Sequence, residues 1–161
     1  MPREQMHIGN AAGFSVDRMD VGGPVADSLI ASGKPAALFY ETLAERTLAI
    51  AQRERRANPE KGYTPDLAGF VGPVLKRCVE NGVPIVGNFG AANPMGAAKR
   101  LHALAKTQGI SGLRVAVVDG DDLRENIRGL QTQQWGEEKP LDLANTEILA
   151  ANVYMLSLIH I

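Results

Sequence analysis

Oxygen donors dominate the residues of this chain that could do chemistry. Asp119, Asp121 and Asp122 set three carboxylates around Gly120, directly after the β-branched run that ends at Val118. Hard cations such as Mg²⁺ take oxygen ligands, and Asp121 with Asp122 could hold one at a cleft. A plain structural role competes, with Asp121 capping a following helix and Asp122 complementing its dipole. Capping alone does not require the preceding Asp119-Gly120 pair. The stretch Asn88-Phe-Gly-Ala-Ala-Asn93, with Gly90 at its bend, leads into a helix start. Free N–H groups and the positive end of the helix dipole suit a phosphate or carboxylate there. Asn93 serves equally as an ordinary cap, whereas Asn88 ends a buried strand with an amide that needs a specific partner. Near the N-terminus, Asn10 and Gly13 offer an amide and permissive backbone, with Asp17 and Arg18 beyond. Arg18 could grip an anionic group bidentately, or form an Asp-Arg pair that fixes a surface loop. Glu41 and Glu45 are four apart, the spacing of one helix face. Glu41 also lies near a strand end, as a candidate general base or metal ligand, and Glu45 reads as solvated or paired.

Several other chemistries find no support. The dinucleotide fingerprint G-x-G-x-x-G is absent, and the Asn88 turn lacks the Lys and Ser/Thr of a P-loop. Ser15 has no G-x-S-x-G context. His7 and His102 are isolated, which disfavours zinc, and Cys78 falls in an apolar helical stripe that reads as core rather than nucleophile. Seventeen Lys and Arg against eighteen Asp and Glu leave no basic excess for nucleic acid or an anionic membrane surface. No apolar run approaches the roughly 18 residues of a membrane span, the N-terminus lacks a signal-peptide pattern, and a lone cysteine forms no internal disulfide. A cytoplasmic protein is expected.

The elements that must position these groups follow a βα alternation: a short β-branched run, a Gly/Asn/Asp-rich turn, then an amphipathic stretch. Strands are expected at 6–9, 36–40, 83–87 and 113–118. Helices are expected at about 24–33, 42–56, 64–82 with Pro73 kinking or interrupting it, 94–109 after the Asn93-Pro94 start, and 123–130. The fold class is α/β, a mostly parallel sheet with flanking helices in a Rossmann-like three-layer arrangement that is incomplete. The polar turns all follow strands and so gather at the carboxyl edge of a parallel sheet, where ligands bind.

Five segments occur in a particular order: Ile8-Gly-Asn-Ala-Ala-Gly-Phe with Asp17-Arg18, Leu43-Ala-Glu-Arg-Thr, Gly62-Tyr63, Asn88-Phe-Gly-Ala-Ala-Asn-Pro, and Val115-Ala-Val-Val-Asp-Gly-Asp-Asp-Leu. Together they resemble the N-terminal domain of the acyclic terpene utilisation family AtuA, from about Met6 to Tyr154. The resemblance implies a place in breakdown of acyclic terpenoids such as citronellol and geraniol through acyl-CoA intermediates, and it favours a site at Gly120, Asp121 and Asp122. Two positions depart from the family pattern: Ala91 stands where a second glycine is usual after Gly90, and Glu41 where a strand-end aspartate is usual. Members of the family are longer, and Ala151-Asn-Val-Tyr154 resembles a motif that runs on into a further strand and helix. Residues 1–155 are therefore expected to be a partial domain. Residues 156–161, which match a reading frame of a sequencing-library adapter, are expected to be an artefactual tail, so His160 carries no functional weight.

The functional expectation is an enzyme binding a small acid or acyl-CoA. Asn10, Gly13, Arg18, Asn88, Gly90, Asn93 and Gly120 would hold substrate, while Glu41, Asp121 and Asp122 would handle a cation or proton. Lyase, hydratase or hydrolase chemistry suits such residues better than redox chemistry. The alternative is a non-catalytic accessory or regulatory subunit of an acyl-CoA carboxylase pathway. A homo-oligomer or a complex with carboxylase subunits fits either.

Overall fold

The computed structural model describes residues 5–13, 18–130, 132–133, 136 and 139–153. Ser15, Asp17, Tyr154 and the tail 156–161 lie outside the described residues. The described residues fall into two compact units, one within Met1–Val117 and one within Val118–Ile161.

The first unit is α/β. Strands β1 (His7–Asn10), β2 (Ala36–Tyr40) and β3 (Ile85–Gly87) form a parallel sheet in the order β1-β2-β3. Its register aligns Asn10 with Phe39, and Phe39 with Val86. Helix α1 (Gly22–Ala31) connects β1 to β2, α2 (Glu45–Ala57) and α3 (Leu67–Glu80) connect β2 to β3, and α4 (Pro94–Thr107) follows β3. Parallel neighbours need such crossovers.

Alternation along β2 decides where the core lies. Ala36, Leu38 and Tyr40 point into a cluster with Ala26 and Leu29 of α1, Phe70, Val71, Val74 and Cys78 of α3, and Ala97 and Ala105 of α4. Burial of these apolar groups drives the assembly. Close packing also selects glycine: a Cβ at Gly22 would overlap the Tyr40 hydroxyl, and one at Gly9 would strike Val25 and Leu29. On the opposite sheet face Ile8, Phe39 and Val86 are 61%, 37% and 52% exposed, so that face is apolar and open.

Local signals explain the helix that follows β3. Asn93 caps α4 by accepting from Gly96 N at 3.0 Å, and Pro94 takes the first helical position. At α2 the Thr47 hydroxyl accepts from Ala44 N at 2.7 Å, satisfying a helix-end donor.

Several expectations are corrected. α3 runs unbroken through Pro73, whose ring lies on the exposed side. α3 starts at Leu67 rather than Thr64, and Thr64 turns its hydroxyl toward Thr42. α2 starts at Glu45, so Glu41 precedes the helix and shares no helix face with Glu45. Residues 113–118 form no ladder, and in place of a helix over 123–130 there is a 3-10 turn at Ile127–Gly129. Among the described residues no helix is long and apolar enough to cross a membrane.

Candidate functional site

In a parallel sheet every strand ends at the same edge, and here that edge carries Asn10, Glu41 and Asn88. Asn88 and Glu41 meet directly. β2 and β3 pair as far as Tyr40 and Gly87, and one step beyond, Thr42 N donates to the Asn88 side-chain oxygen at 2.8 Å. The Asn88 side chain thus continues the ladder where the strands diverge. Because Oδ1 must accept from Thr42 N, Nδ2 is turned to Glu41, donating to Oε1 at 3.0 Å. The same Oε1 accepts from Leu43 N at 2.7 Å. Hydrogen bonds to an ionised acceptor are roughly twice as strong as neutral ones, so the carboxylate is well fixed. Its second oxygen, Oε2, has no partner among the described residues. Thr42 Oγ1 lies 3.3 Å from Asn88 Oδ1 and 3.4 Å from Thr64 Oγ1, which adds two hydroxyls to the group.

The turn after Asn88 is locked from below. Phe89 is buried, its ring 5.2 Å from that of Tyr40 and 6.0 Å from that of Phe70. A Cβ on Gly90 would lie 2.8 Å from Pro94 Cα, so the bend requires glycine there. Ala91 adopts φ 44°, a left-handed conformation that costs an L-residue about 1–2 kcal/mol. The family resemblance implies glycine at this position, which would adopt that conformation without strain.

The buried Asn93 amide is committed to the chain: besides capping α4, Nδ2 donates to Pro59 O at 3.0 Å and Lys61 O at 2.8 Å. Ala92 N donates to Gly62 O at 2.8 Å, and the Arg55 guanidinium donates to Ala92 O. The 58–62 loop is therefore strapped to the 88–93 turn, and Asn93 works as cap and strap. Asn10 closes its own loop by accepting from Ala12 N at 2.9 Å, and Gly13 has φ 86° with open space around it.

Arg18 pairs with Asp20, while Asp17, the partner considered from the sequence, lies outside the described residues. Two N–H groups of its guanidinium reach the carboxylate at 2.9 and 2.7 Å, and the bonds from Arg18 lower the Asp20 carboxyl below its usual range. Cys78 is core as expected, with burial pushing its thiol up.

In the second unit the acidic turn is engaged as well. Arg124 donates through Nε and Nη2 to Asp122 at 2.7–3.0 Å, and its hydrogen bonding to that carboxylate is the main reason the guanidinium holds its proton more tightly. Asp121 Oδ2 accepts from Asn152 Nδ2 at 2.8 Å, beside a bridge that pairs Asp122 with Asn152. Gly120 has φ 101°. Among the described residues no group of three or more His, Cys, Asp and Glu gathers as a metal site, and Asp122 faces a guanidinium rather than an open oxygen cage. The sequence reading missed Thr42, Thr64, Arg124 and Asn152. Thr42 was within reach, because it follows the strand-end Glu41 directly. Asn152 lies 31 residues from Asp121 and gave no local signal.

The arrangement at Glu41 suits proton transfer or hydrogen bonding to a polar ligand. It is a fixed carboxylate with one open oxygen, backed by an oriented amide and two hydroxyls, and among the described residues no imidazole or thiol is bonded to it. The chain matches no curated protein and no solved structure. A family model described as acyclic terpene utilisation family protein AtuA matches residues 6–156. With nearly the whole chain matched, this protein belongs to the acyclic terpene utilisation family AtuA.

Proposed function

We propose that the protein is an enzyme that binds a small organic acid or its acyl thioester at the carboxyl edge of the sheet. The observation that carries this reading is Glu41, held through Oε1 by Leu43 N and Asn88 Nδ2 with Oε2 open. A carboxylate fixed in this way can accept a proton from a bound substrate or return one without rearranging. Asn88 and Thr42 offer further hydrogen-bonding groups, and Asn10 lies at the same edge. Family membership directs the choice of ligands to acyclic terpenoid acids and their CoA esters. Lyase or hydratase chemistry fits a proton-transferring carboxylate.

The experiment is a thermal-shift series on the 161-residue chain with those acids and thioesters. A ligand at 100 times its dissociation constant stabilises the folded state by about 2.7 kcal/mol. At least one ligand is expected to raise Tm, with the shift lost in Glu41→Gln. Absence of any shift, or an unchanged shift in Glu41→Gln, overturns the assignment. A second reading, an accessory subunit of an acyl-CoA carboxylase pathway, draws on the open apolar face formed by Ile8, Phe39 and Val86. A stoichiometric complex with a carboxylase subunit, together with no ligand shift, would favour it.

A further inference from the structure

Among the described residues no strand pairs with the outer edge of β3. Leu38 N donates to Pro84 O at 2.9 Å, so Pro84 and Val86 turn their backbone groups toward β2. Alternation then leaves the N–H and C=O of Ile85 and Gly87 pointing outward. An unpaired edge of this kind is a template for another strand.

The same unit contains a segment made for it. Leu113-Arg-Val-Ala-Val117 is rich in β-branched residues, and its burial alternates with period two: Leu113, Val115 and Val117 are half-buried, Arg114 and Ala116 exposed. Leu113 already packs on the core. No backbone group of residues 113–117 hydrogen-bonds another described residue, although buried backbone groups are almost always paired.

Chirality decides which edge the segment belongs to. Crossovers between parallel strands are right-handed in nearly all proteins, which couples the helix face to the direction in which the sheet grows. α1 and α3 pack together over the face that carries Leu38 and Tyr40 while the strands advance from β1 to β3. α4 packs beside α3 on the same core. A helix on that face must feed a strand that continues the advance, beyond β3 and not beyond β1.

We propose that Leu113–Val117 is a docking strand that closes the open edge of β3, adding in parallel on the outward backbone groups of Ile85 and Gly87. Val117 then ends at the edge that carries Asn10, Glu41 and Asn88, so the docked strand completes the wall beside Asn88. The inference rests on topology and is independent of what Glu41 binds.

Amide exchange and NOE measurements by NMR on the full chain test it. Slowed exchange at Ile85 and Gly87 by at least tenfold relative to the Gly109 and Gly112 turn amides is expected, with intramolecular NOEs from β3 to residues 114–117. Ala116→Pro, which removes a donor directed at β3, should abolish that protection while Cys78 stays inaccessible to thiol reagents. If Ala116→Pro fails to fold, the wild-type NOEs decide alone. Exchange at turn-like rates in the wild type, protection that survives Ala116→Pro, or NOEs that are intermolecular in mixed-isotope samples overturn the proposal.

Discussion

Replacing Asn93 by Asp separates its two tasks. Aspartate is as good a helix N-cap as asparagine and is favoured by the helix dipole, so a capping role alone predicts no loss, or a slight gain, of stability. The structure predicts the opposite. Nδ2 donates to Pro59 O and Lys61 O, and a carboxylate at that 7%-exposed position would face two carbonyl oxygens with no hydrogen to offer. Each lost bond contributes about 0.5–1.5 kcal/mol net, and leaving the carbonyls unsatisfied raises the cost, so Asn93→Asp should destabilise by roughly 2–4 kcal/mol at neutral pH. Asn93→Ala, which also loses the cap, should cost about 1 kcal/mol more than the lost donors alone. Burial beside carbonyl oxygens raises the folded-state pKa of the introduced carboxyl. The folded variant then binds a proton more tightly than the unfolded chain, so its deficit relative to wild type is full above the raised pKa and shrinks as pH falls toward 4. Urea unfolding followed by circular dichroism at pH 7 and pH 5, for wild type and both variants, measures these differences. An Asn93→Asp protein within 0.5 kcal/mol of wild type at pH 7 would refute the strap between the 58–62 loop and the site turn.

Two further predictions concern the same framework. Gly62 has φ 93°, and a Cβ there would lie 2.6 Å from Arg55 Cβ and 2.9 Å from Ala51 O, so Gly62→Ala should cost about 2–5 kcal/mol from backbone strain and overpacking, read as a lower urea midpoint. Burial pushes the Tyr40 phenol up to about 12, above its unfolded value of 10.0. Its contribution to stability is therefore intact below pH 10 and lost as pH rises toward 12, and Tyr40→Phe should lose less stability over that window than wild type does.

The parts of the fold legible in the sequence are those whose cause is local. The β2 run Ala36–Tyr40 is hydrophobic because it is the middle strand, and no competing signal interrupts it. The start of α4 is written in adjacent residues, an Asn that caps and a Pro that cannot donate. Leu113–Val117 has the composition of a strand, but a ladder is a property of two segments, and periodicity along one of them does not supply the other. Pro73 does not interrupt α3, because surrounding packing by Phe70, Val74 and Cys78 holds the helix together across a locally unfavourable residue. At the site, Glu41 and Asn88 were identifiable as strand-end polar groups, whereas their contact follows from β2-β3 register. Arg18 and Asp122 each pair with a residue two positions away, a spacing that the sequence offers among several nearby charges without singling it out.

Phe89 stands between Asn88 and Gly90 in the chain yet belongs to the interior, wedged against Tyr40 and Phe70. A loop anchored in this manner cannot be retuned on its own. Substitutions that reshape the interior at Phe70 will be transmitted to the amide that orients Glu41, so the geometry of this edge evolves through α3 as readily as through Glu41 and Asn88 themselves.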